Sequence, residues 1–373
     1  MKILHFGSLS PHAGGPAMST ASSIRGIKAL GHIAEIVCSA PYQEESVDKT
    51  ILLHKVRFSP YHPFLTQRAL QQLGEFDLYH IQGCWLYGGH VLSAFARKTR
   101  KPYVITLRGM LYPQALAKSA LKKHLAMLFY QANDLEHAAC IQATCQEEAI
   151  FYHNLGFHNP VAIIPNAIEL PEELPPAVQP KNIFRIGYLG RLHPRKNVER
   201  LLYVLADPQM QQTKSELLII GSGDQQYEAF LRSEVMRLHL DNVRFAGFLQ
   251  GKSKREALRS LSVLVVPSDF ENFGNIVPEC LEQGVPVVAS RGMPWQELET
   301  FHCGRWCQND VKKLTQVLAE IQQLFPEERE EMGRRGQKLL QERYALPKIA
   351  KEIEHMYQWV LGQAEKPDFI VTC

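Results

Sequence analysis

Short apolar runs alternate with longer amphipathic segments along most of this chain. Six apolar runs fall in its first half, at Lys2–Phe6, Ile33–Cys38, Leu78–Gln82, Tyr103–Leu107, Cys140–Thr144 and Val161–Ile164. A buried parallel strand has the pattern of a short apolar run, and two parallel strands need a crossover between them, usually a helix. The alternation therefore predicts an α/β protein with parallel sheets.

The alternation stops once and then restarts, which divides the chain in two. Prolines cluster around the break, at positions 165, 171, 175, 176 and 180. Because proline disfavours regular structure, we interpret residues 171–182 as a linker. The apolar runs resume at Phe184–Leu189, Glu216–Ile220, Val243–Ala246, Val263–Val266 and Val285–Ala289. The sequence thus predicts two doubly wound α/β domains, over residues 1–170 and 183–349.

The last part of the chain has a different pattern. Beyond Glu330 the sequence is typical of helix to about Gly362, with apolar residues at helical spacing such as Ile349 and Ile353. We expect the C-terminal segment, about residues 350–373, to pack back on the first domain.

Composition and charge exclude several classes of protein. The 373-residue chain is 45% hydrophobic and carries a net charge of +3, which gives no case for nucleic-acid binding by the whole protein. Its eight cysteines lack C-x-x-C spacing, so we expect no zinc site and reduced thiols. No apolar stretch approaches the ~18–20 residues of a membrane span, and the apolar run within Met1–Gly7 is too short for that of a signal peptide. We expect a cytoplasmic protein, free or peripheral at the inner face of the cell membrane.

The most specific local pattern runs from the predicted strand Val263–Val266 to Ser290. Glu271 stands in the loop after that strand, Gly274 allows a tight turn, and Glu279 lies on the helix that follows. Ligands of open α/β sheets bind at the carboxyl ends of strands, and a helix start offers N–H groups to phosphate. We expect the two carboxylates to reach hydroxyl groups on either side of that phosphate.

Two cations follow the predicted strand Phe184–Leu189. Arg191 and Lys196 would project from the same end of the sheet, and a pair of fixed cations suits a diphosphate, above all one that departs as a leaving group. Asn197 is expected to cap the next helix.

Two glycine-bearing loops follow the next predicted strands. Gly221 and Gly223 come after Glu216–Ile220, whereas Gly247 and Phe248 come after Val243–Ala246 and are interpreted as lining a base pocket. Taken singly, each of these residues has an ordinary explanation. A glycine can simply form a turn, Arg191 can be a surface charge and Glu271 can be a solvated loop residue. Their joint occurrence at successive strand ends favours a binding site.

The segment from Glu271 to Glu279 matches the E-x7-E motif of retaining glycosyltransferases with the GT-B fold, and resembles family 4 of these enzymes. The stretch Gly190–Asn197 is similar to the G-R-L-x-x-x-K-N motif of the same family. The likeness extends over the whole chain and is most specific in residues 185–300. It implies the GT-B architecture, in which two Rossmann-like domains face a cleft.

The resemblance also implies a role for each matching residue. Glu279 would hold the ribose hydroxyls, Glu271 would contact the donor sugar near the reacting centre, and Arg191 and Lys196 would stabilise the departing diphosphate. The backbone amides of five residues would touch the donor: Phe273, Gly274, Asn275, Ile276 and Val277. Family members need no D-x-D metal site, and this chain has no convincing one. We therefore expect neither a metal nor a cofactor.

The first half resembles the acceptor side of such enzymes. Gly14 and Gly15 follow the first predicted strand, where the family has a Gly-Gly loop at the cleft. His80 to Trp85 is similar to the H-x-H-G-x-W of bacterial surface-polysaccharide transferases, with Gln82 in place of the second histidine. The alternatives for His80 and Trp85 are a hydrogen bond at the strand end and core packing.

A second departure concerns the stretch Thr106–Pro113, which resembles the H-G-M-L-x-P motif of the same transferases. Arg108 stands where the group has its histidine. Arginine cannot act as a general base, although it can bind phosphate or stabilise negative charge.

The predicted helix Lys118–Glu136 combines basic and apolar residues. Lys118 and Lys122 stand beside Leu121, Leu125 and Leu128 in the sequence. Such a helix suits an anionic membrane surface and a lipid-linked acceptor. The alternative is an ordinary amphipathic helix with a solvated basic face.

Together these features predict a retaining glycosyltransferase that builds a bacterial surface polysaccharide such as lipopolysaccharide. It would move a sugar from a nucleoside-diphosphate sugar to a saccharide or lipid-linked saccharide. Two alternatives stay open: a catalytically degenerate partner that binds nucleotide sugar, which Arg108 favours, and a GT-B nucleotide-sugar epimerase.

Overall fold

The computed structural model describes residues 1–9, 15–38, 51–54, 63–180, 182–211 and 214–372. The chain divides into two compact units. Unit 1 contains Met1–Glu169 and Tyr344–Cys373, and unit 2 contains Leu170–Arg343. The predicted linker thus groups with unit 2, and the division near the C-terminus falls at 343/344 rather than after residue 349.

A mostly parallel sheet forms the centre of unit 1. Its eight strands in the described residues are β1 (Lys2–Gly7), β2 (Ile33–Cys38), β3 (Leu52–His54), β4 (Leu78–Gln82), β5 (Tyr103–Thr106), β6 (Cys140–Ala143), β7 (Val161–Ile163) and β14 (Ile370–Val371). They lie in the order β14-β7-β6-β5-β4-β1-β2-β3, and β14 pairs antiparallel with β7. The six predicted strands are confirmed. Strands β3 and β14, which have only three and two residues, were not predicted.

Helices connect these strands. They are α1 (Gly15–Ala29), α2 (Pro63–Gln72), α3 (Tyr87–Thr99), α4 (Pro113–Ala117), α5 (Ala120–Ala126), α6 (Ala132–Glu136), α7 (Gln146–Asn154) and α16 (Leu346–Val360). The single helix predicted over Lys118–Glu136 is wrong in detail. Ser119 has a left-handed backbone (φ 58°), and a π-helical turn at Met127–Gln131 separates α5 from α6.

The C-terminal helix α16 packs against α1 within unit 1. A Cβ on Gly26 of α1 would lie 2.8 Å from the Cβ of Ala350, so the glycine permits this close approach. The buried side chains of Ile349 and Ile353 join the same core as Ile24. The long helix predicted from Glu330 onward is interrupted before α16, where Ile168 donates a backbone hydrogen bond to Tyr344.

Unit 2 contains a second parallel sheet. Six strands appear in its described part: β8 (Phe184–Leu189), β9 (Ser215–Ile220), β10 (Val243–Gly247), β11 (Val263–Val266), β12 (Val287–Ser290) and β13 (Gly304–Cys307). Its helices are α8 (Glu199–Leu205), α9 (Pro208–Gln211), α10 (Gln225–Arg237), α11 (Gly251–Arg259), α12 (Ile276–Glu282), α13 (Glu297–Thr300), α14 (Val311–Gln323) and α15 (Pro326–Leu339). The five predicted strands are confirmed within two residues at each end, and β13 was missed.

Strand order fixes where each sheet can bind a ligand. The order in unit 2 is β10-β9-β8-β11-β12-β13, so the chain changes direction across the sheet between β8 and β11. In unit 1 the same change falls between β1 and β4. Doubly wound sheets bind ligands beside such switch points, at the carboxyl ends of the strands. The predicted fold class of two doubly wound α/β domains is confirmed.

Candidate functional site

Lys196 and Glu271 meet at the switch point of unit 2. Lys196 ends the 3-10 turn Pro194–Lys196 after β8, and Glu271 stands in the loop after β11. The Lys196 ammonium forms an ion pair with the Glu271 carboxylate. The Ser268 hydroxyl donates to the same carboxylate over 3.1 Å, and the Glu271 amide donates to the carbonyl of Gly292 over 2.9 Å. Two of the predicted catalytic residues are therefore in direct contact.

Asn197 ties the two loops together. Its backbone is left-handed (φ 50°), a conformation that asparagine tolerates better than most residues. Its side-chain amide donates to the carbonyl of Pro267 over 3.0 Å, and Asn309 donates to the same carbonyl over 2.6 Å. The expectation that Asn197 caps the next helix is wrong, because α8 starts after Val198 without a side-chain cap.

Arg191, the third predicted catalytic residue, lies at the surface. Its carbonyl accepts a hydrogen bond from the Tyr188 hydroxyl over 2.9 Å, which fixes the backbone while the side chain is exposed. Arg191 stands on the same loop as Lys196, but among the described residues only Lys196 is paired with Glu271.

Close packing between backbones accounts for the two glycines after β9. A Cβ on Gly221 would lie 1.8 Å from the carbonyl oxygen of Gly190, and one on Gly223 would lie 2.2 Å from that of Leu192. The Gly221 amide also donates to the carbonyl of Gly247 over 2.7 Å. These glycines are required by the contact of neighbouring loops, so no ligand is needed to explain them.

The turn into α12 is tightly built. Gly274 has φ +75°, and the carbonyl of Phe273 accepts a hydrogen bond from the indole of the buried Trp295. The amide of Val277 donates to the carbonyl of Gly274 over 2.9 Å, so that N–H is already used inside the turn. Asn275 precedes α12, and Ile276 is its first residue.

Glu279 on α12 pairs with a residue that sequence analysis missed. The ammonium of Lys254 on α11 lies 3.0 Å from Oε2 of Glu279, and both side chains are 27% exposed. Lys254 belongs to no motif, and nothing in the local sequence pattern indicated this contact. Phe248, between β10 and α11, is largely exposed, and Gly247 before it has space around its Cα.

Arg108 in unit 1 is surrounded by neutral hydrogen-bond acceptors. Its Nη1 donates to the Ser19 hydroxyl over 2.6 Å and to the Asn166 amide oxygen over 3.0 Å. Its Nη2 donates to the Gln82 amide oxygen over 2.6 Å and to the Thr20 hydroxyl over 3.3 Å. Burial lowers the pKa of Arg108 to about 10. The two residues that depart from the resembled histidine motifs, Gln82 and Arg108, are thus in contact.

His80 is fully buried next to this cluster. One ring nitrogen contacts the Tyr357 hydroxyl at 2.6 Å and the other contacts the Thr106 hydroxyl at 2.7 Å. Burial lowers the pKa of His80 far below its usual value and that of the adjacent His5 to about 3. Both ring nitrogens of His80 are thus engaged within unit 1, which fits the alternative of a hydrogen bond at the strand end.

The remaining first-half candidates are Trp85, Gly15 and Gly14. The indole of Trp85 donates to the carbonyl of Met110 over 3.3 Å, and the ammonium of Lys123 lies 5.7 Å from its ring. Gly15 begins α1, where its carbonyl accepts from the Ser19 hydroxyl over 3.0 Å. Gly14 falls outside the described residues.

The apolar side chains of α5 and the π-helical turn are not packed against unit 1. Leu121, Leu125, Leu128 and Phe129 are all exposed, the last by 76%. They follow i, i+4, i+7 and i+8 spacing, which in a helix places them on one side. An ordinary amphipathic helix would bury such a face, so the structure does not fit that alternative.

The described residues contain no group of three or more His, Cys, Asp or Glu that could hold a metal ion. Their seven cysteines are all free thiols, and six are buried. No helix in the described ranges combines the length and apolar character needed to cross a bilayer.

Two family models match this chain side by side. Residues 14–167 match the glycosyl transferase 4-like domain, and residues 172–339 match the glycosyl transferases group 1 family. Each half of the chain therefore contains a glycosyltransferase domain. The first half matches the 4-like domain and the second half matches the group 1 domain.

Curated relatives share shorter stretches. The gpi3 subunit of phosphatidylinositol N-acetylglucosaminyltransferase from Schizosaccharomyces pombe is 23% identical over 63% of this chain and 48% of its own length. The phosphatidyl-myo-inositol mannosyltransferase of Mycobacterium leprae is 35% identical over 34% of each chain. The chain thus spans half or less of the length of these relatives.

Solved structures match almost the whole chain. HepE from Anabaena in complex with UDP is 20% identical, covers 96% of this chain and 100% of its own, and has a TM-score of 0.76. Sucrose-phosphate synthase from Thermosynechococcus elongatus is 18% identical with a TM-score of 0.74, and covers 98% and 100%. At this identity the likeness shows the GT-B fold.

Proposed function

We propose that this protein is a retaining glycosyltransferase that uses a nucleoside-diphosphate sugar as donor. The acceptor would be a saccharide or lipid-linked saccharide in surface polysaccharide synthesis. The observation that carries the proposal is the Lys196–Glu271 pair, which joins a cation and a carboxylate at the switch point of the group 1 domain.

The proposed reaction breaks the bond between the anomeric carbon of the sugar and the diphosphate oxygen. The acceptor oxygen bonds to that carbon from the same face, and its proton passes to the departing diphosphate. Lys196 and Arg191 would stabilise the negative charge that develops on the diphosphate. Glu271 would contact the sugar, and Glu279 would accept hydrogen bonds from the ribose hydroxyls. We propose that these cations serve in place of a metal ion.

Two observations suggest which donors to try first. HepE was crystallised with UDP and with UDP-glucose, and a Mycolicibacterium smegmatis relative is named as a GDP-mannose-dependent mannosyltransferase. Uridine and guanosine diphosphates are therefore the first ligands to test.

The test is thermal unfolding with UDP, GDP, ADP and dTDP. One of them at ~100 times its dissociation constant should stabilise the protein by about 2.7 kcal/mol. Glu279→Ala should lose the effect, whereas Glu256→Ala, at an exposed position on α11, should keep it. No stabilisation by any of the four would contradict a nucleotide-binding role.

The products formed from the nucleotide sugar distinguish a transferase from an epimerase and from a degenerate partner. A transferase releases the nucleoside diphosphate from the stabilising nucleotide sugar and forms a glycoside. An epimerase changes the sugar without an acceptor. A protein that binds the nucleotide sugar but changes nothing is a degenerate partner, the alternative that Arg108 favours.

We further propose that the exposed face Leu121, Leu125, Leu128 and Phe129 lies on an anionic membrane at the inner surface of the cell. Lys118 and Lys122 are exposed beside it and carry the complementary charge. Apolar burial in the lipid and about 1 kcal/mol per basic residue would hold the protein there. A lipid-linked acceptor would then be within reach of unit 1.

Vesicle flotation tests this proposal. The protein should float with vesicles that contain phosphatidylglycerol and much less with pure phosphatidylcholine. Phe129→Ser should weaken flotation, whereas Phe325→Ser should not, although that side chain in unit 2 is 72% exposed. Equal flotation of the two variants would refute a specific membrane face.

A further inference from the structure

We infer that Lys254 is a positioning residue that holds Glu279 for the ribose of the donor. The inference rests on the proposed function and extends it to a residue that no motif includes. It starts from the 3.0 Å contact between the Lys254 ammonium and Oε2 of Glu279.

The contact differs from the other lysine pair on the same helix. Lys252 is 84% exposed and lies 3.7 Å from Glu256, one turn further along α11. Both residues of that pair lie on α11, so the pair does not restrain a side chain on any other element. Lys254 is less exposed and reaches from α11 to α12, so it restrains the side chain of a residue on another element.

The geometry leaves Glu279 able to bind a ligand. A carboxylate has two oxygens and about four acceptor positions, of which a single ammonium takes one. Ribose hydroxyls can therefore donate to Glu279 while Lys254 keeps its carboxylate in one orientation. Preorganisation of this kind lowers the entropy cost of binding.

Charge on α12 gives Lys254 a second effect. Glu282 stands three residues after Glu279, one helical turn away. Burial and the charge of Glu279 raise the pKa of Glu282, whereas Arg255 and Lys254 act against this rise. Removal of Lys254 would leave two carboxylates on one helix with less compensating charge.

The position of α11 links Lys254 to another part of the proposed site. This helix begins at Gly251, directly after the loop that contains Phe248. Lys254 thus connects the segment proposed to line the base pocket with the carboxylate proposed to bind the ribose.

The test compares Lys254→Met with the matched control Lys252→Met. Each variant is titrated by calorimetry with the nucleoside diphosphate that stabilises the wild-type chain. We expect up to about tenfold weaker binding for Lys254→Met, because the unrestrained Glu279 side chain must then be ordered when the ligand binds, and no change for Lys252→Met. Lys254→Arg should restore most of the affinity.

A second ligand separates positioning from a general loss of structure. With the 2′,3′-dideoxy form of the same diphosphate, Glu279 has no ribose hydroxyls to bind, so Lys254→Met and wild type should bind alike. The double variant Lys254→Met/Glu279→Gln should bind the normal diphosphate no more weakly than Glu279→Gln alone.

Three outcomes would overturn the inference. If Lys254→Met binds the diphosphate as tightly as the wild-type chain, Lys254 does not position Glu279. An equal loss with the dideoxy ligand shows that Lys254 acts through the fold or contacts the phosphates. A wild-type chain that binds none of the four diphosphates removes the proposed function, and this inference with it.

Discussion

The charged residues near the carboxyl ends of the strands have different partners in the two units. In unit 2, Lys196 pairs with Glu271 and Lys254 pairs with Glu279, and all four side chains are partly open to solvent. In unit 1, the guanidinium of Arg108 is held by neutral hydroxyl and amide oxygens among buried side chains.

This difference indicates which residues are available to bind a ligand and which mainly stabilise the fold. A partly exposed ion pair contributes only about 0–1 kcal/mol to stability, so its partners can turn to a ligand at little cost. A buried network is costly to break, because each group left without a partner keeps its full desolvation penalty. We expect substitutions in unit 2 to reduce activity and substitutions in unit 1 to reduce stability.

The largest expected effect is on catalysis in unit 2. Lys196→Met removes a cation from the proposed leaving group, so release of nucleoside diphosphate from the donor should slow by about 10²–10³-fold. The free energy of unfolding should change by less than about 1 kcal/mol. Steady-state kinetics and urea unfolding measure the two, with Lys252→Met as the control. A loss of several kcal/mol would mean that this pair is architectural, like the cluster in unit 1.

Arg108→Met should show the opposite pattern. It removes the donor to the amide oxygen of the buried Gln82, which should cost about 1–3 kcal/mol. Urea unfolding against Lys98→Met, at an exposed position on α3, measures the loss. An unchanged unfolding free energy with lost turnover would instead place Arg108 among the catalytic residues.

Within unit 2, Gly247 and Gly221 differ in the space around them and should differ in how far substitution lowers stability. Gly247→Ala meets open space and should cost only the strain of a left-handed backbone, about 1–2 kcal/mol. Gly221→Ala should cost at least about 1–3 kcal/mol more, because its Cβ would overlap the carbonyl of Gly190. The difference in urea midpoint between the variants tests this. Equal midpoints would mean that the loops separate easily and are less rigid than their hydrogen bonds indicate.

The smallest expected effect is a pH dependence from His5. Burial lowers its pKa in the folded state from 6.5 to about 3, so the stability it contributes is complete above pH 6.5 and is lost as the pH falls toward 3. At pH 5.5 this loss is about 1.4 kcal/mol. His5→Asn keeps an acceptor for Gln82 and should lose correspondingly less between pH 7.5 and 5.5. Parallel losses in both proteins would show that His5 is not held neutral.

Local patterns predicted much of the fold and part of the site. The apolar runs gave the ends of β8 and β11 correctly, and the spacing of Lys196 and Glu271 from those strands predicted that they share one sheet edge. Parallel strands all present their carboxyl ends on one side, so this inference needs only strand identity. Strands as short as β3 and β14 have no pattern of their own and depend on their neighbours.

What the sequence could not predict depends on contacts between distant residues. Arg108 meets Ser19, which is 89 positions away, and His80 meets Tyr357, which is 277 positions away. Lys254 and Glu279 are 25 positions apart, on helices whose packing no local pattern encodes. For Arg108 and His80, the family motifs indicated function, but they did not indicate these partners within unit 1.

The fold-back of α16 and β14 sets an order in time for the growing chain. Unit 2 is continuous, whereas unit 1 is completed only by residues that follow it. At a synthesis rate of 5–20 residues per second, the ribosome needs roughly 9–35 s to pass through unit 2. During that interval α16 is not yet available to pack against Ile24 and Ile27 of α1. Unit 1, which is synthesised first, is therefore the unit that completes its folding last.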